Sequence, residues 1–507
     1  MRVIPRPQIL IVLILTLPWL NPFSPGPTPA AAALVFSWWC AGMALVCLAW
    51  FWSSCDRRRI PQAIALSWTL AAIVSAFAGL LQYAGLSDIA SPWINVASPG
   101  LAYANLRQRN QFATLTNIGL CAVLYGWATM QHTRKMSLAM YVMAFVLGVG
   151  NAASSSRTGL TQLLVLAALA CLWSATRTVP NAKPQGHRLH VLWIACGAYA
   201  LASWTLPYLA GLGPHSTGIV ARMVEPSPIC VSRITLWSNV MHLIGQRPWF
   251  GWGWGSLDSA HFLALYPGER FCDILDNAHN LPLHFAVELG LPLAALVCAL
   301  ILWAVVRLQP WKETDRARQM AWAVLLLIGV HSLLEYPLWY GPFQLAALQS
   351  SYVLRRISPD QPIGGSRSSP QRAIAALLGC SLVASSGYIG WDYWRVSQLY
   401  KASADRADRY RDDTMEKVRS TWLFQDQVLF AELTTSVLTR SNALRINAIS
   451  KQLLHFSPEP RVVEKLIESA VMLDRDDEAL FYLQRYKVAY PQEHLRWVEG
   501  SGGHKAP

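Results

Sequence analysis

The chain is 507 residues long, 53% apolar and only 14% charged, with 42 Lys and Arg against 29 Asp and Glu and a formal charge of +13. About a quarter of the residues in an ordinary soluble domain are charged, so the composition excludes a single soluble globular fold. The positive excess does not indicate a nucleic-acid surface, because it recurs in alternate loops instead of gathering in one patch.

Apolar blocks long enough to cross a bilayer fall near 7–23, 31–52, 62–85, 111–131, 138–153, 159–176, 190–211, 282–306, 320–340, 341–354 and 373–391. This predicts an all-α polytopic membrane protein of about eleven transmembrane helices. Tryptophans such as Trp38, Trp39, Trp50 and Trp52 sit at block ends, the level preferred by amphipathic rings. The first block is long, so a cleaved signal peptide is not expected. Basic residues occupy every second loop: Arg57, Arg58 and Arg59; Arg134 and Lys135; Arg177, Lys183 and Arg188; Arg307, Lys312, Arg316 and Arg318; Arg355 and Arg356. Under the positive-inside rule the N-terminus is cytoplasmic. The expected division is a membrane core over 1–356 with a large external loop at about 212–281, a Pro/Gly/Ser-rich linker over 357–372, a last span over 373–391 and an external helical domain over 392–507. Within that domain 463–491 reads as two amphipathic helices, the second starting around DRDDE. Its A-x-x-x-L-x-x-Y spacing resembles a tetratricopeptide unit.

The same topology puts four polar segments on one face: about 86–110, SSSRTG (154–159), about 212–281 and EYPLWYGP (335–342). That co-localisation points to one external site. In the stretch DNAHNLPLHFAVELG (276–290), His279 stands at the mouth of an apolar helix, where an imidazole is costly to place and suited to accept a proton. Asn277 and Asn280 flank it as groups that orient the ring or meet a substrate, while His284 and Glu288 share a helix face. Fixed cations for an anionic leaving group are Arg157 in SSSRTG, Arg233 in RITLW, and Arg107 and Arg109 in NLRQRNQFAT (105–114), with Gln108 and Asn110 between and beside them. The competing reading of Arg157 is a side chain reaching for lipid headgroups. Glu335 and Tyr336 lie where a proline breaks the ninth block, and such backbone at membrane depth is buried or lines a cavity.

Ten cysteines show no C-x-x-C or Cys/His spacing, so no metal site is expected. Asp273 and Asp276 lack a third ligand in the sequence. Cys230 and Cys272 alone fall in the large external loop, and they are expected to pair. A transporter would carry polar residues deep in several spans or inverted repeats, and neither is read from the sequence.

An Arg-led helix, the P-x-x-G-x-G turn at 248–253, and His-Asn followed by Glu-Leu-Gly together resemble the O-antigen ligase superfamily. HSLLEYPLWYGP (331–342), NLRQRNQFAT and the helical tail look like its protein O-oligosaccharyltransferase branch, the PglL or pilin-glycosylase type. The resemblance implies a multi-pass enzyme of the bacterial inner membrane, with its active site and C-terminus periplasmic. It implies a glycan donor linked to undecaprenyl diphosphate, a Ser or Thr acceptor on an exported protein such as a pilin, and contact with membrane lipids. No metal, other cofactor or nucleic acid is implied. His279 carries over as the catalytic histidine, and Arg157 and Arg233 as residues of the diphosphate site. Some relatives read Gln-Pro-Asn-His where this chain has Gln108-Arg109-Asn110-Gln111. The alternatives are an O-antigen ligase acting on lipid A–core and an O-antigen polymerase.

Overall fold

A computed structural model describes residues 6–24, 26–51, 59–129, 133–175, 186–212, 218–219, 222, 229–356 and 369–502. The expected linker, apart from its last residues, and the basic residues Arg57, Arg58, Arg177 and Lys183 lie outside them. Among the described residues the only regular secondary structure is helical. The membrane helices in chain order are α1 (Arg6–Leu20), α2 (Pro29–Trp50), α3 (Ile60–Tyr83), α4 (Arg109–Thr129), α5 (Arg134–Ala153), α6 (Arg157–Ala175) and α7 (Gly186–Leu209). Then come the loop helices α8 (Arg233–Gln246), α9 (Leu257–Leu263) and α10 (Leu281–Leu289). The chain continues through α11 (Leu291–Leu308), α12 (Arg316–Ser332), α13 (Gly341–Arg356) and α14 (Ser369–Ser397).

Eight of the described helices are long and apolar enough to cross a membrane. The other three expected spans fall on shorter helices, α1, α12 and α13, of 15, 17 and 16 residues. The expected block 282–306 is not one helix: it breaks at Gly290, and the long apolar stretch starts at Leu291.

The chain forms two compact units, 1–226 with 305–390 and 227–304 with 391–507. In this grouping the large loop and the C-terminal region belong to one unit. In the first unit the core runs through Trp68, Leu115, Ile118, Leu147, Leu192 and Val324, and Trp19 meets Phe343 edge-to-face at 5.1 Å. A buried polar chain also crosses it. Thr114 Oγ1 lies 2.9 Å from His331 Nδ1 and donates to Gln162 Oε1. Gln162 donates to the Leu327 carbonyl, Asn117 to that of Gly159, and Asn151 to Asn117 Oδ1. Polar residues therefore do lie deep in several spans, contrary to the sequence reading. Each is surrounded by apolar sequence, so hydropathy averages it away, and in the fold they hydrogen-bond to one another.

In the second unit, α8 buries Leu236, Val240, Leu243 and Ile244 against Leu257, Leu275, Ala278 and Val287. Six C-terminal helices follow among the described residues: α15 (Thr414–Val418), α16 (Gln425–Thr435), α17 (Ala443–Phe456), α18 (Pro460–Met472), α19 (Asp476–Ala489) and α20 (Pro491–Gly502). The two amphipathic helices read from 463–491 are α18 and α19. At the end of α14, buried Asp392 pairs with Arg395 at 2.6 Å and accepts from Thr421 Oγ1 at 2.7 Å, which ties that helix to the C-terminal region.

Candidate functional site

The first unit brings two helix beginnings together. Gln108 Oε1 accepts the Gln111 amide at 2.7 Å and so caps α4, whose first residue is Arg109. Ser156 Oγ accepts the Gly159 amide at 2.9 Å and caps α6, whose first residue is Arg157. The Ser156 hydroxyl also donates to Asn110 Oδ1 at 2.6 Å, so one bond couples the two caps. Asn110 Nδ2 in turn faces Glu335 Oε1 at 3.4 Å. Helix N-termini present backbone N–H groups and positive dipole ends, and an arginine opens each of these two.

A third cation, which the sequence reading missed, completes this group. Arg222 Nη1 donates to the Ser155 carbonyl at 2.8 Å. Its guanidinium is pushed down to about 10, first by burial and then by the positive charges of Arg109 and Arg157. Like charges gathered in this way repel unless an anion lies between them. No local motif marks Arg222 in the sequence, and only the fold brings it to the SSSRTG turn.

The other residues of NLRQRNQFAT have structural partners. Asn105 Nδ2 donates to the carbonyls of Leu20 and Trp93, and Arg107 Nη2 donates to the Pro22 carbonyl at 2.6 Å. Arg107 thus anchors the segment to the end of α1, and Arg109 is the arginine of this motif whose charge reaches Arg222. Tyr336 stacks on Tyr340 with ring centroids 5.9 Å apart and meets Trp339 edge-on.

The second unit holds His279 in a constrained backbone. Its φ is 50°, in the left-handed region, which non-glycine residues adopt at some cost and mostly at functional or tightly held positions. Asn277 is 2% exposed, and its Oδ1 accepts the His279 amide at 2.8 Å. Trp237 Nε1 donates to the Ala278 carbonyl at 3.1 Å, and Asn280 caps α10 by accepting the Leu283 amide. The two asparagines therefore fix the backbone on either side of His279, a half-buried residue. Burial raises the Asp276 carboxyl, and the neighbouring His279 opposes that rise.

Behind this mouth, His284 and Glu288 are each 1% exposed and lie 3.4 Å apart. Burial raises the Glu288 carboxyl above its ordinary value. The turn at 248–253 is docked on the end of α10: Trp252 and Gly253 donate to the carbonyls of Val287 and Glu288, both at 2.9 Å, and Leu291 donates to Pro248. A Cβ on Gly251 would lie 2.4 Å from the Glu288 carbonyl group, and one on Gly290 would lie 2.2 Å from the Trp249 oxygen. The P-x-x-G-x-G and Glu-Leu-Gly motifs are therefore two halves of one backbone contact.

Arg233 opens α8, which Ser232 caps by accepting the Thr235 amide. Nearby, Cys230 and Cys272 form a disulfide, with Cα atoms 5.3 Å apart. Beyond it, His261 is buried between the Tyr266 hydroxyl at 2.7 Å and the Phe271 carbonyl at 3.0 Å, and burial pushes its imidazole down to about 3. It is a neutral packing residue. Among the described residues no cluster of His, Cys, Asp and Glu is arranged to hold a metal ion.

Comparison with known proteins bears on both units. Residues 102–127 match the family described as protein glycosylation ligase, and residues 142–298 match O-antigen ligase. Residues 319–501 match the C-terminal region of a virulence-factor membrane-bound polymerase family. A general O-oligosaccharyltransferase of Acinetobacter baylyi is 24% identical over 425 residues, covering 80% of this chain and 69% of that protein. A ComP-specific O-oligosaccharyltransferase of the same organism is 23% identical over 251 residues, covering 48% of this chain and 42% of that protein. The glycosylation-ligase match covers α4 and its cap, and the O-antigen ligase match contains both Arg157 and His279. The chain is a membrane-embedded glycosyltransferase-type enzyme, similar over separate stretches to the protein glycosylation ligases, the O-antigen ligases and the O-oligosaccharyltransferases.

Proposed function

We propose that this enzyme transfers a glycan from undecaprenyl diphosphate to a Ser or Thr hydroxyl of an exported protein, a pilin among the acceptors, on the periplasmic face of the bacterial inner membrane. The observation that carries the reading is the gathering of Arg109, Arg157 and Arg222 at two coupled helix N-termini. In this reading they hold the diphosphate. As the bond from the anomeric carbon to the phosphate oxygen breaks, its electron pair passes to the diphosphate, whose growing charge the guanidiniums offset. Arg233 is a further diphosphate-binding candidate from its place in the sequence, and Arg107 holds the segment in place. These fixed cations do the work that a divalent metal does in other transferases, and transfer is expected to persist in chelator.

His279 is the general base. It takes the acceptor hydroxyl proton as the new carbon–oxygen bond forms. Its left-handed backbone, held by Asn277 and Asn280, and the buried His284–Glu288 pair behind it support this assignment. Alternating basic loops support a cytoplasmic N-terminus and a periplasmic site. The names of the two Acinetobacter relatives support a protein acceptor. The polymerase family matched by 319–501 favours a growing glycan as the rival acceptor.

The deciding experiment supplies purified enzyme in vesicles with lipid-linked glycan and one of three acceptors: a pilin-like protein, lipid A–core, or a second lipid-linked glycan. Intact mass then reads where the sugar has gone. Product on protein is expected, and product only on either of the others overturns the proposal. In the same assay His279→Ala should lower transfer by at least about 10²-fold, while Arg222→Gln and Arg157→Lys should raise the donor KM.

A further inference from the structure

The C-terminal helices and the loop that carries His279 belong to one compact unit, and among the contacts that join them are three. Phe262 of α9 is buried with Leu433, Leu453 and Leu466 in the core of the C-terminal helices. Arg485 Nε donates to the Leu263 carbonyl at 2.9 Å, satisfying an end group of α9. His455, near the end of α17, places Nε2 at 3.2 Å from Ser256 Oγ. The first two are contacts that any packed helix pair makes. The third is a polar contact between an exposed ring and a serine that is 7% exposed.

Ser256 is where that contact gains consequence. Its amide donates to the Gly253 carbonyl at 3.2 Å, Gly253 in turn donates to the Glu288 carbonyl at the end of α10, and His279 lies two residues before α10 begins. The charged groups that face His455 are Asp258 on α9 and Glu288.

We infer that His455 is a positioning residue supplied by the C-terminal helices: through Ser256 it fixes the turn that docks on the end of α10, and through α10 the backbone that presents His279. The C-terminal region is then a structural part of the transfer site as well as whatever else it binds. This rests on the reading of His279 as the base.

The test uses the full-length enzyme in lipid vesicles with His455→Ala, His455→Gln and His455→Asn. A glutamine amide nitrogen reaches close to the position of imidazole Nε2, whereas an asparagine amide falls short of it. His455→Ala should lower kcat by roughly 10- to 100-fold through misplacement alone, leave the donor KM unchanged, and raise hydrogen exchange over 254–262 and 281–289. Glutamine should restore both readouts and asparagine neither. Unchanged exchange in His455→Ala, or rescue by asparagine as good as that by glutamine, overturns the inference. If exchange rises with no change in kcat, and His279→Ala is also active, the assignment of His279 as base falls instead. Should His455→Ala fail to accumulate in the membrane, the glutamine–asparagine comparison still decides.

Discussion

Replacing Gly290 by alanine should damage this enzyme far more than one methyl group ordinarily does. Gly290 has φ 89° and ψ 159°, a region essentially reserved for glycine, so the backbone term alone costs about 1–3 kcal/mol. The added Cβ would stand 2.2 Å from the Trp249 oxygen and 2.5 Å from its carbon. Ordinary contact begins near 3.4 Å, so the Pro248–Gly253 turn must withdraw by roughly 1 Å, and a displacement of that size near a reacting group can cost about 10²-fold in rate. Leu291 donates to Pro248, and Trp252 and Gly253 donate to the end of α10, so withdrawal would weaken all three bonds. The expected outcome is a stability loss of about 3 kcal/mol or more with transfer reduced by about 10- to 100-fold. Gly245→Ala is the matched control, because Gly245 lies in α8 and a Cβ there would meet nothing within 4 Å. It should be neutral or should stabilise by up to about 1 kcal/mol. Thermal unfolding and initial transfer rates of the two variants in vesicles make the measurement. A Gly290→Ala enzyme that melts and turns over like the parent would refute the docked-turn argument.

The Cys230–Cys272 disulfide spans a sequence separation of 42, so replacing both cysteines by serine should destabilise the loop by about 4 kcal/mol on the chain-entropy account. Maleimide labelling of the unfolded parent should modify the pair only after reduction, and labelling of either cysteine without reductant would contradict the bridge. Asp258 gives a pH signature. Burial raises its carboxyl from 3.8 to about 6, so between those values the folded chain keeps a proton that the unfolded chain has lost, and stability falls as pH climbs through that window. Asp258→Asn should therefore melt higher than the parent above pH ~6, by on the order of 1–2 kcal/mol given its partial exposure, with the gap closing toward pH ~4. Its Oδ1 can still accept the Ser259 amide as Asp258 does at 2.6 Å, and a constant gap at all pH values would exclude this cause.

Features that depend on neighbouring residues are legible in the chain before it folds. Apolar blocks of spanning length mark α2–α7, α11 and α14 because hydropathy is a local sum. The amphipathic period of α18 and α19 and the His-Asn mouth of α10 are local in the same sense. Other features depend on pairs of residues far apart in the chain, and these take shape only when the helices pack. The block 282–306 reads as continuous because both of its halves are apolar, yet Gly290 breaks it so that the Trp249 carbonyl can approach. Arg107 and Arg109 look equivalent in sequence, but Arg107 bonds the Pro22 carbonyl, whereas the charge of Arg109 reaches Arg222. Composition gave the C-terminal region the look of a separate soluble domain, because its charge density changes abruptly after the last span. Phe262 and His455 join it to the loop that carries His279. A boundary in composition marks a change of solvent along the chain, while a boundary in the fold is set by which apolar and polar groups satisfy one another across it.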